Sequence, residues 1–422
     1  MSSVRKALFW LHLAAGLLAG VVIFIMSFTG AILAFEHEIV AWAERDVRRV
    51  VAPAPGAVAL PLDDLIAAAR EAATDPDAES APRVSGVTVS SDPQAAVAVN
   101  FGRDQPVRYV DPYTRAVFPA TTTRTHDFMH LMEDWHRRLA ATGDHRETGR
   151  AVTGAANVAF LFLAVSGLWL WWPRQWTARV LRPSLWLTGA KGKARDWNWH
   201  NVFGFWSLPV LVVLTATGMV ISYRWASDLA YRAVGETPPA APAAPAAEVK
   251  IERPAAAEKL TYAAVLARIQ TAHPLWTEIT LREGLPARRG APPAANAATP
   301  ASAPSSTPAP TPAKRGPQPY SATLKAADDA PSFATTQLVL NPFTGEELNR
   351  SGYEDQSAGR KLRGWLRYLH TGEALGWPGQ LLAGLASLAG CLLVYTGFAL
   401  SWRRFFKRRA TVAPTPATAS AR

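Results

Sequence analysis

Four stretches of the chain stay apolar for longer than the core of a soluble domain requires, and the segments between them change to shorter periods. Leu8 to Phe35 is broken by one ionisable residue, His12, while Ala151 to Trp172, Val202 to Tyr223 and Leu381 to Trp402 hold no charge. Each exceeds the ~20 residues that cross a bilayer core of about 30 Å at 1.5 Å per residue, so four transmembrane helices are predicted. The first run, led by Arg5 and Lys6, also has the outline of a secretory leader. At 28 residues it is longer than a signal h-region, with no small-residue cleavage site before Glu36, and an uncleaved helix is expected.

The first intervening segment opens with a helical stretch, Leu62 to Arg70. Strand-like runs follow at Gly86 to Ser90, Ala95 to Phe101 and Val107 to Phe118. The last folds back at Asp111-Pro112-Tyr113-Thr114, where Pro112 presets a turn and Asp111 bonds its own backbone. The second segment repeats the order: helix at Tyr262 to Gln270, strands at Glu278 to Arg282 and Gln337 to Gly345, and a turn Asn341-Pro342-Phe343-Thr344 that matches the first in type. Pro286 to Pro319 and Pro238 to Pro254 are Ala/Pro-rich and are expected to be disordered.

The expected fold is therefore membrane α-helical, a four-transmembrane-helix bundle with two small extramembrane α+β modules, internally duplicated. The expected boundaries are a first span at 1–36, module one at 37–135 and a second span with its approach at 136–173. A basic loop at 174–199 and a third span at 200–223 come next, then module two at 224–369 with its insert at 286–319, a fourth span with its approach at 370–402 and a basic tail at 403–422. The duplication shows at a constant offset of 188: His12 matches His200, Gly16 matches Gly204, Gly30 matches Gly218 and Phe35 matches Tyr223. Spans two and four share the endings Ser166-Gly167 and Thr396-Gly397. Two spans per repeat keep both repeats in one orientation, related by a pseudo-two-fold along the membrane normal, so equivalent residues face each other.

Charge then fixes orientation. Of the 422 residues only 18% are charged, yet the formal net charge is +11. Segments 1–7, 173–199 and 403–422 hold fourteen Lys and Arg against Asp196 alone, leaving −2 for everything else. That bias places both termini and the short loop in the cytoplasm and the modules outside, in the periplasm of a bacterial inner membrane; it leaves no call for nucleic acid as a partner. The single cysteine, Cys391, excludes an intramolecular disulfide, a Cys-rich metal site and covalent c-type haem.

Nine histidines remain as candidate chemistry. An ionisable group inside a span is costly and points to function. His12 and His200 fall near the cytoplasmic face, His136 and His370 near the outer one, which gives two facing pairs across the pseudo-axis. Paired neutral imidazoles are what a low-spin haem iron takes as axial ligands, and Gly16 and Gly204 would leave room for the macrocycle. The plain alternative is interfacial anchoring beside Trp10, Trp135, Trp199 and Trp365. His126, His130 and His145 lie close enough to replace His136, and His126-x-x-x-His130 has the spacing of a metal site on one helical face. His37 and His273 have no matched partner and read as surface residues.

These residues resemble the PepSY-associated transmembrane proteins, a family that includes inner-membrane ferric-siderophore reductases and iron-regulated membrane proteins. The likeness rests on His12 with Gly16 and Thr29-Gly30, Trp135-His136-Arg137, Ser166-Gly167-Leu-Trp-Leu-Trp-Trp-Pro173, Trp199-His200 with Gly204-Phe-Trp206, Leu369-His370-Thr-Gly372, Thr396-Gly397 and the two Pro turns. It implies PepSY-like modules, haem b, two per chain, held by His12, His200, His136 and His370, and reduction of a ferric siderophore or other ferric chelate. The sequence shows no flavin or nicotinamide motif, so an unidentified cytoplasmic donor is expected, with membrane lipid as the surrounding partner. Arg115 departs from the repeat, standing where module two has Gly345. The alternative function is a non-redox membrane protein whose modules bind peptide or regulate a protease or sensor. A transporter is disfavoured because no predicted span carries a carboxylate.

Overall fold

A computed structural model describes residues 3–54, 56–74, 81–102, 107–118, 123–239, 251–254, 257–285 and 317–406. In chain order its elements are α1 (Ser3–Leu33), α2 (Glu36–Ala43), α3 (Arg45–Arg48), α4 (Leu62–Ala73), β1 (Gly86–Ser90), β2 (Val97–Asn100), β3 (Arg108–Val110), α5 (Thr123–Arg138), α6 (Arg146–Trp171) and α7 (Ala178–Leu185). There follow α8 (Gly192–Ser222), α9 (Arg224–Ala233), α10 (Tyr262–Ala272), β4 (Trp276–Glu283), β5 (Tyr320–Ala326), β6 (Thr336–Leu340), β7 (Glu347–Ser351), α11 (Ala358–Thr371) and α12 (Gly376–Phe405). Most of the two Ala/Pro-rich stretches lies outside the described residues. The chain divides into unit 1, comprising Met1–Glu36, Met129–Ala230 and Arg363–Arg422, and unit 2, comprising His37–Phe128 and Tyr231–Leu362.

Unit 1 holds four helices long and apolar enough to cross a membrane, Ser3–Leu33, Gly143–Trp171, Gly192–Ser222 and Glu373–Phe405. Each outruns its charge-free core, because the flanking Arg, Lys and Trp continue the helix. Helix α1 packs on α6 and α12, and α8 packs on the same two, so α1 and α8 take opposite corners of a square bundle. Apolar side chains gain nothing from leaving lipid, so close approach at small residues drives the contacts. Phe35 lies over Gly384, and its counterpart Tyr223 lies over Gly154, the same joint made twice.

His136 and His370 lie on α5 and α11, separate helices that precede the spans. The two repeats differ by four residues between histidine and shared glycine, yet Gly167 comes 21 positions after the start of α6 and Gly397 comes 21 after the start of α12. The difference therefore falls ahead of the spans, mostly in the turns, where Leu139 and Ala140 adopt positive φ in one and Gly372 and Gly376 in the other.

Helix α8 corrects one expectation. It begins at Gly192, ten residues before the charge-free run, and so includes Asp196, whose side chain is fully buried. The carboxylate pairs with Arg195 at 2.8 Å and Arg403 at 3.0 Å, which ties α8 to α12. The charge-free run itself, Val202 to Tyr223, carries no carboxylate.

Unit 2 is built on one seven-stranded sheet in the order β3-β2-β1-β4-β5-β6-β7. The two modules read from sequence are joined: β1 pairs antiparallel with β4, Val87 opposite Leu281 and Thr88 opposite Thr280, and the two threonine hydroxyls meet at 2.9 Å. With β1 equivalent to β4 at an offset of 192, Thr88 and Thr280 are each other's counterparts and sit on the local pseudo-two-fold. Alternate positions supply one core under α4 and α10: Val87, Val97, Val99, Val110, Ile279, Leu281, Leu324, Leu338 and Leu340 from the strands, with Leu65, Val265 and Ile269 from the helices. Each such side chain contributes about 1.5–3 kcal/mol on full burial.

The repeat extends to single hydrogen bonds. Leu60 N donates to Pro112 O and Leu260 N to Pro342 O, both at 2.8 Å, tying each helix start to its hairpin. The carboxylate of Asp111 and the side-chain oxygen of Asn341 accept from the two following turn amides at matching distances, 2.8 and 3.4 Å against 2.9 and 3.4 Å. Arg115 finds its explanation here. In module two Arg268 reaches from α10 over Gly345 and bonds Thr344 O, whereas in module one the matching helix position is Ala68 and Arg115 reaches from the hairpin to Asp64 O, at 3.3 Å. An arginine bridges helix and hairpin in both, supplied from opposite sides.

Candidate functional site

The bundle brings the four matched histidines together in two pairs. The His12 ring, on α1, lies 6.5 Å centroid to centroid from that of His200, on the opposite corner helix α8. The His136 and His370 rings are 6.2 Å apart. Every ring is docked the same way, against a Ser-Gly or Thr-Gly step of a span in its own repeat.

His12 Nδ1 lies 2.8 Å from Ser166 Oγ on α6, and His200 Nδ1 lies 2.9 Å from Thr396 Oγ1 on α12. His136 Nδ1 meets Thr29 Oγ1 at 3.1 Å and Met26 O at 2.9 Å on α1; His370 Nδ1 meets Thr217 Oγ1 at 3.2 Å and Leu214 O at 2.9 Å on α8. The glycine after each hydroxyl lets the ring edge approach. A Cβ there would stand 3.1 Å from His136 at Gly30 and 3.2 Å from His370 at Gly218, but 3.5 Å from His12 at Gly167 and 3.7 Å from His200 at Gly397.

Proton counting sets the tautomers. A main-chain carbonyl only accepts, so His136 and His370 carry their proton on Nδ1. Thr396 Oγ1 donates its own proton to Leu392 O at 2.7 Å and Ser166 Oγ donates to Leu163 O at 3.3 Å, so these oxygens accept from His200 and His12. In all four the bare nitrogen is Nε2, and none of these atoms has a hydrogen-bond partner among the described residues.

Two imidazoles opposed across a metal, each bonded at about 2.0 Å, place their ring centres roughly 6.3 Å apart. The observed 6.5 and 6.2 Å straddle that value. Each pair would fill two coordination positions of such a metal, and among the described residues there is no group of three or more His, Cys, Asp or Glu that could hold a metal ion. A planar chelate such as haem brings the other four ligands itself, and the residues fit it. Beside the first pair, a Cβ at Gly16 or Gly204 would make ordinary contact, with Leu163 at 3.8 Å and Leu393 at 3.5 Å.

The other histidines stand apart. His126 Nε2 bonds the buried Glu44 carboxylate at 2.7 Å, which also accepts from Arg48 at 2.7 Å and Tyr109 at 2.9 Å. Burial alone would raise the Glu44 carboxyl, but those three bonds outweigh it and hold it below the usual carboxylate range. Burial, with the adjacent carboxylate, pushes the Tyr109 phenol up. His130, His145 and His37 are exposed, and His273 pairs with Glu347 at 2.8 Å. It is the His136 ring, among the four alternatives, that lies against His370.

Sequence reasoning missed the four hydroxyls and Asp196. The hydroxyls had a visible signal, a Ser or Thr before the shared glycine in every span. These features define a class, a multi-pass membrane protein whose bundle carries two opposed histidine pairs. The chain belongs to the family described as PepSY-associated TM region, which matches residues 9–404, nearly its whole length. No curated protein matches the sequence.

Proposed function

We propose that this chain is a haem-containing electron conduit of a bacterial inner membrane that reduces a ferric siderophore or other ferric chelate in the periplasm for iron acquisition. The observation that carries the reading is the geometry of the two pairs: four imidazoles whose Nε2 has no hydrogen-bond partner among the described residues, in pairs with ring centres 6.5 and 6.2 Å apart, close to the spacing of two imidazoles across one metal. A haem b held by each pair would supply reversible one-electron exchange between ferric and ferrous iron at two depths of the membrane.

The chain's own part is placement. His12 and His200 hold the cytoplasmic end, His136 and His370 the periplasmic end. The basic bias of the loop and termini supports this orientation. An electron from a cytoplasmic donor reduces one ferric ion outside. Ferrous iron attracts anionic oxygen ligands less strongly than ferric iron, so the chelate releases it.

The test is a reduced-minus-oxidised spectrum of detergent-purified protein with extracted haem counted per chain. Two b haems with bis-imidazole bands are expected, followed by reduction of a ferric chelate. No haem after expression with ample haem supply overturns the reading and returns the chain to a non-redox role for its modules.

A further inference from the structure

Serine and threonine inside membrane helices commonly return their hydroxyl proton to the preceding turn, and most do nothing else. Ser207, Thr215 and Ser401 follow that rule here, each donating to the carbonyl four residues back, with no histidine in reach of the hydroxyl. Four others differ. Thr29, Ser166, Thr217 and Thr396 are each at least 97% buried, one in every span, each directly before a glycine and each under a histidine Nδ1. The set obeys the duplication: Thr29 and Thr217 are 188 residues apart, and Ser166 and Thr396 hold matching places in α6 and α12. Chance packing would not repeat one contact four times in register.

We propose that Ser166, Thr396, Thr29 and Thr217 are positioning residues that hold the four ligand histidines in the Nδ1–H tautomer, aim each Nε2 at its opposite number and set how strongly each imidazole donates to the metal. The proposal rests on the reading of these histidines as haem ligands. An Nδ1–H that is hydrogen-bonded makes the ring a more basic ligand, which favours the ferric state and lowers the reduction potential.

The seats are graded. At His136 and His370 a carbonyl accepts as well, and the ring edge sits closer to its glycine. At His12 and His200 the Ser166 and Thr396 hydroxyls are the hydrogen-bond partners among the described residues. Ser166→Ala should therefore have the largest effect and Thr29→Val a smaller one, because Met26 O still holds His136.

The experiment compares wild type, Ser166→Ala, Ser166→Thr and Thr29→Val in the intact chain. In haem-loaded protein, Ser166→Ala should shift one of the two midpoint potentials positive and leave the other in place, Ser166→Thr should restore it, and Thr29→Val should move the other midpoint by less. In haem-free protein, imidazole nitrogen resonances should show His12 changing from a single Nδ1–H tautomer to a mixture in Ser166→Ala alone. Unchanged midpoints and an unchanged His12 tautomer in Ser166→Ala overturn the proposal, and so do equal shifts from Ser166→Ala and Thr29→Val. If wild type binds no haem, the conduit reading fails by itself, while the haem-free resonances still decide whether Ser166 orients His12.

Discussion

At the scale of the residue, space beside the histidines is the limiting quantity. A methyl group at Gly30 or Gly218 would stand 3.1–3.2 Å from the His136 or His370 ring, so that the ring must give by a few tenths of an ångström, while at Gly397 the 3.7 Å gap is ordinary contact. On the proposed reading, Gly30→Ala and Gly218→Ala should each lower haem content to about one per chain and Gly397→Ala should leave it at two, as read by extracted-haem assay. Glu44 gives a pH prediction. Its folded-state carboxyl lies below the ordinary range, so its contribution is present above that range and is lost as pH falls through the folded value. The thermal midpoint should drop on acidification in wild type and less so in Glu44→Gln, which costs about 1–3 kcal/mol at neutral pH. His12 was legible because an ionisable group in an apolar run is rare, and the constant offset of 188 pairs it with His200; His136 and His370 were legible as histidines ahead of spans two and four. The hydroxyls were half legible, since Ser-Gly and Thr-Gly are common in spans and only the fold shows what lies above them. Asp196 was hidden because hydropathy ends a span at its charges, whereas the helix continues until its backbone bonds stop.

At the scale of the element, the hairpins show how a repeat drifts without losing its joint. Arg115 holds φ at 63°, a conformation that costs a side-chain-bearing residue about 1–2 kcal/mol, and the bond it makes to Asp64 O is exposed. Arg115→Gly should therefore change stability by less than about 1 kcal/mol. Gly345→Ala meets the same φ penalty and also the Arg268 side chain, and should cost about 1–3 kcal/mol; denaturant unfolding of the two variants separates them. The Asp-Pro and Asn-Pro turns were readable because the chemistry of a turn is local. Strand partners were not, since alternation tells a strand which face is buried but not which edge meets which, and so two modules were read where β1 and β4 make one sheet.

At the scale of the whole molecule, that shared sheet gives unit 2 one core, with Val87 and Val99 of the first module in the same cluster as Leu281 and Leu338 of the second. A fragment of residues 37–128 would expose the edge of β1 and forfeit half its core; it should show no cooperative unfolding by circular dichroism. Unit 1 divides its labour differently. Each histidine is seated by a helix of its own repeat, Ser166 for His12 and Thr396 for His200, whereas each facing pair is made between repeats. Every half-chain thus presents one histidine of each pair and completes neither. On the proposed reading, a cofactor can be gripped only where both repeats have folded and closed on one another. The bound group then acts as a mortar between the halves and as a receipt for correct assembly, its colour reporting that the two repeats have met.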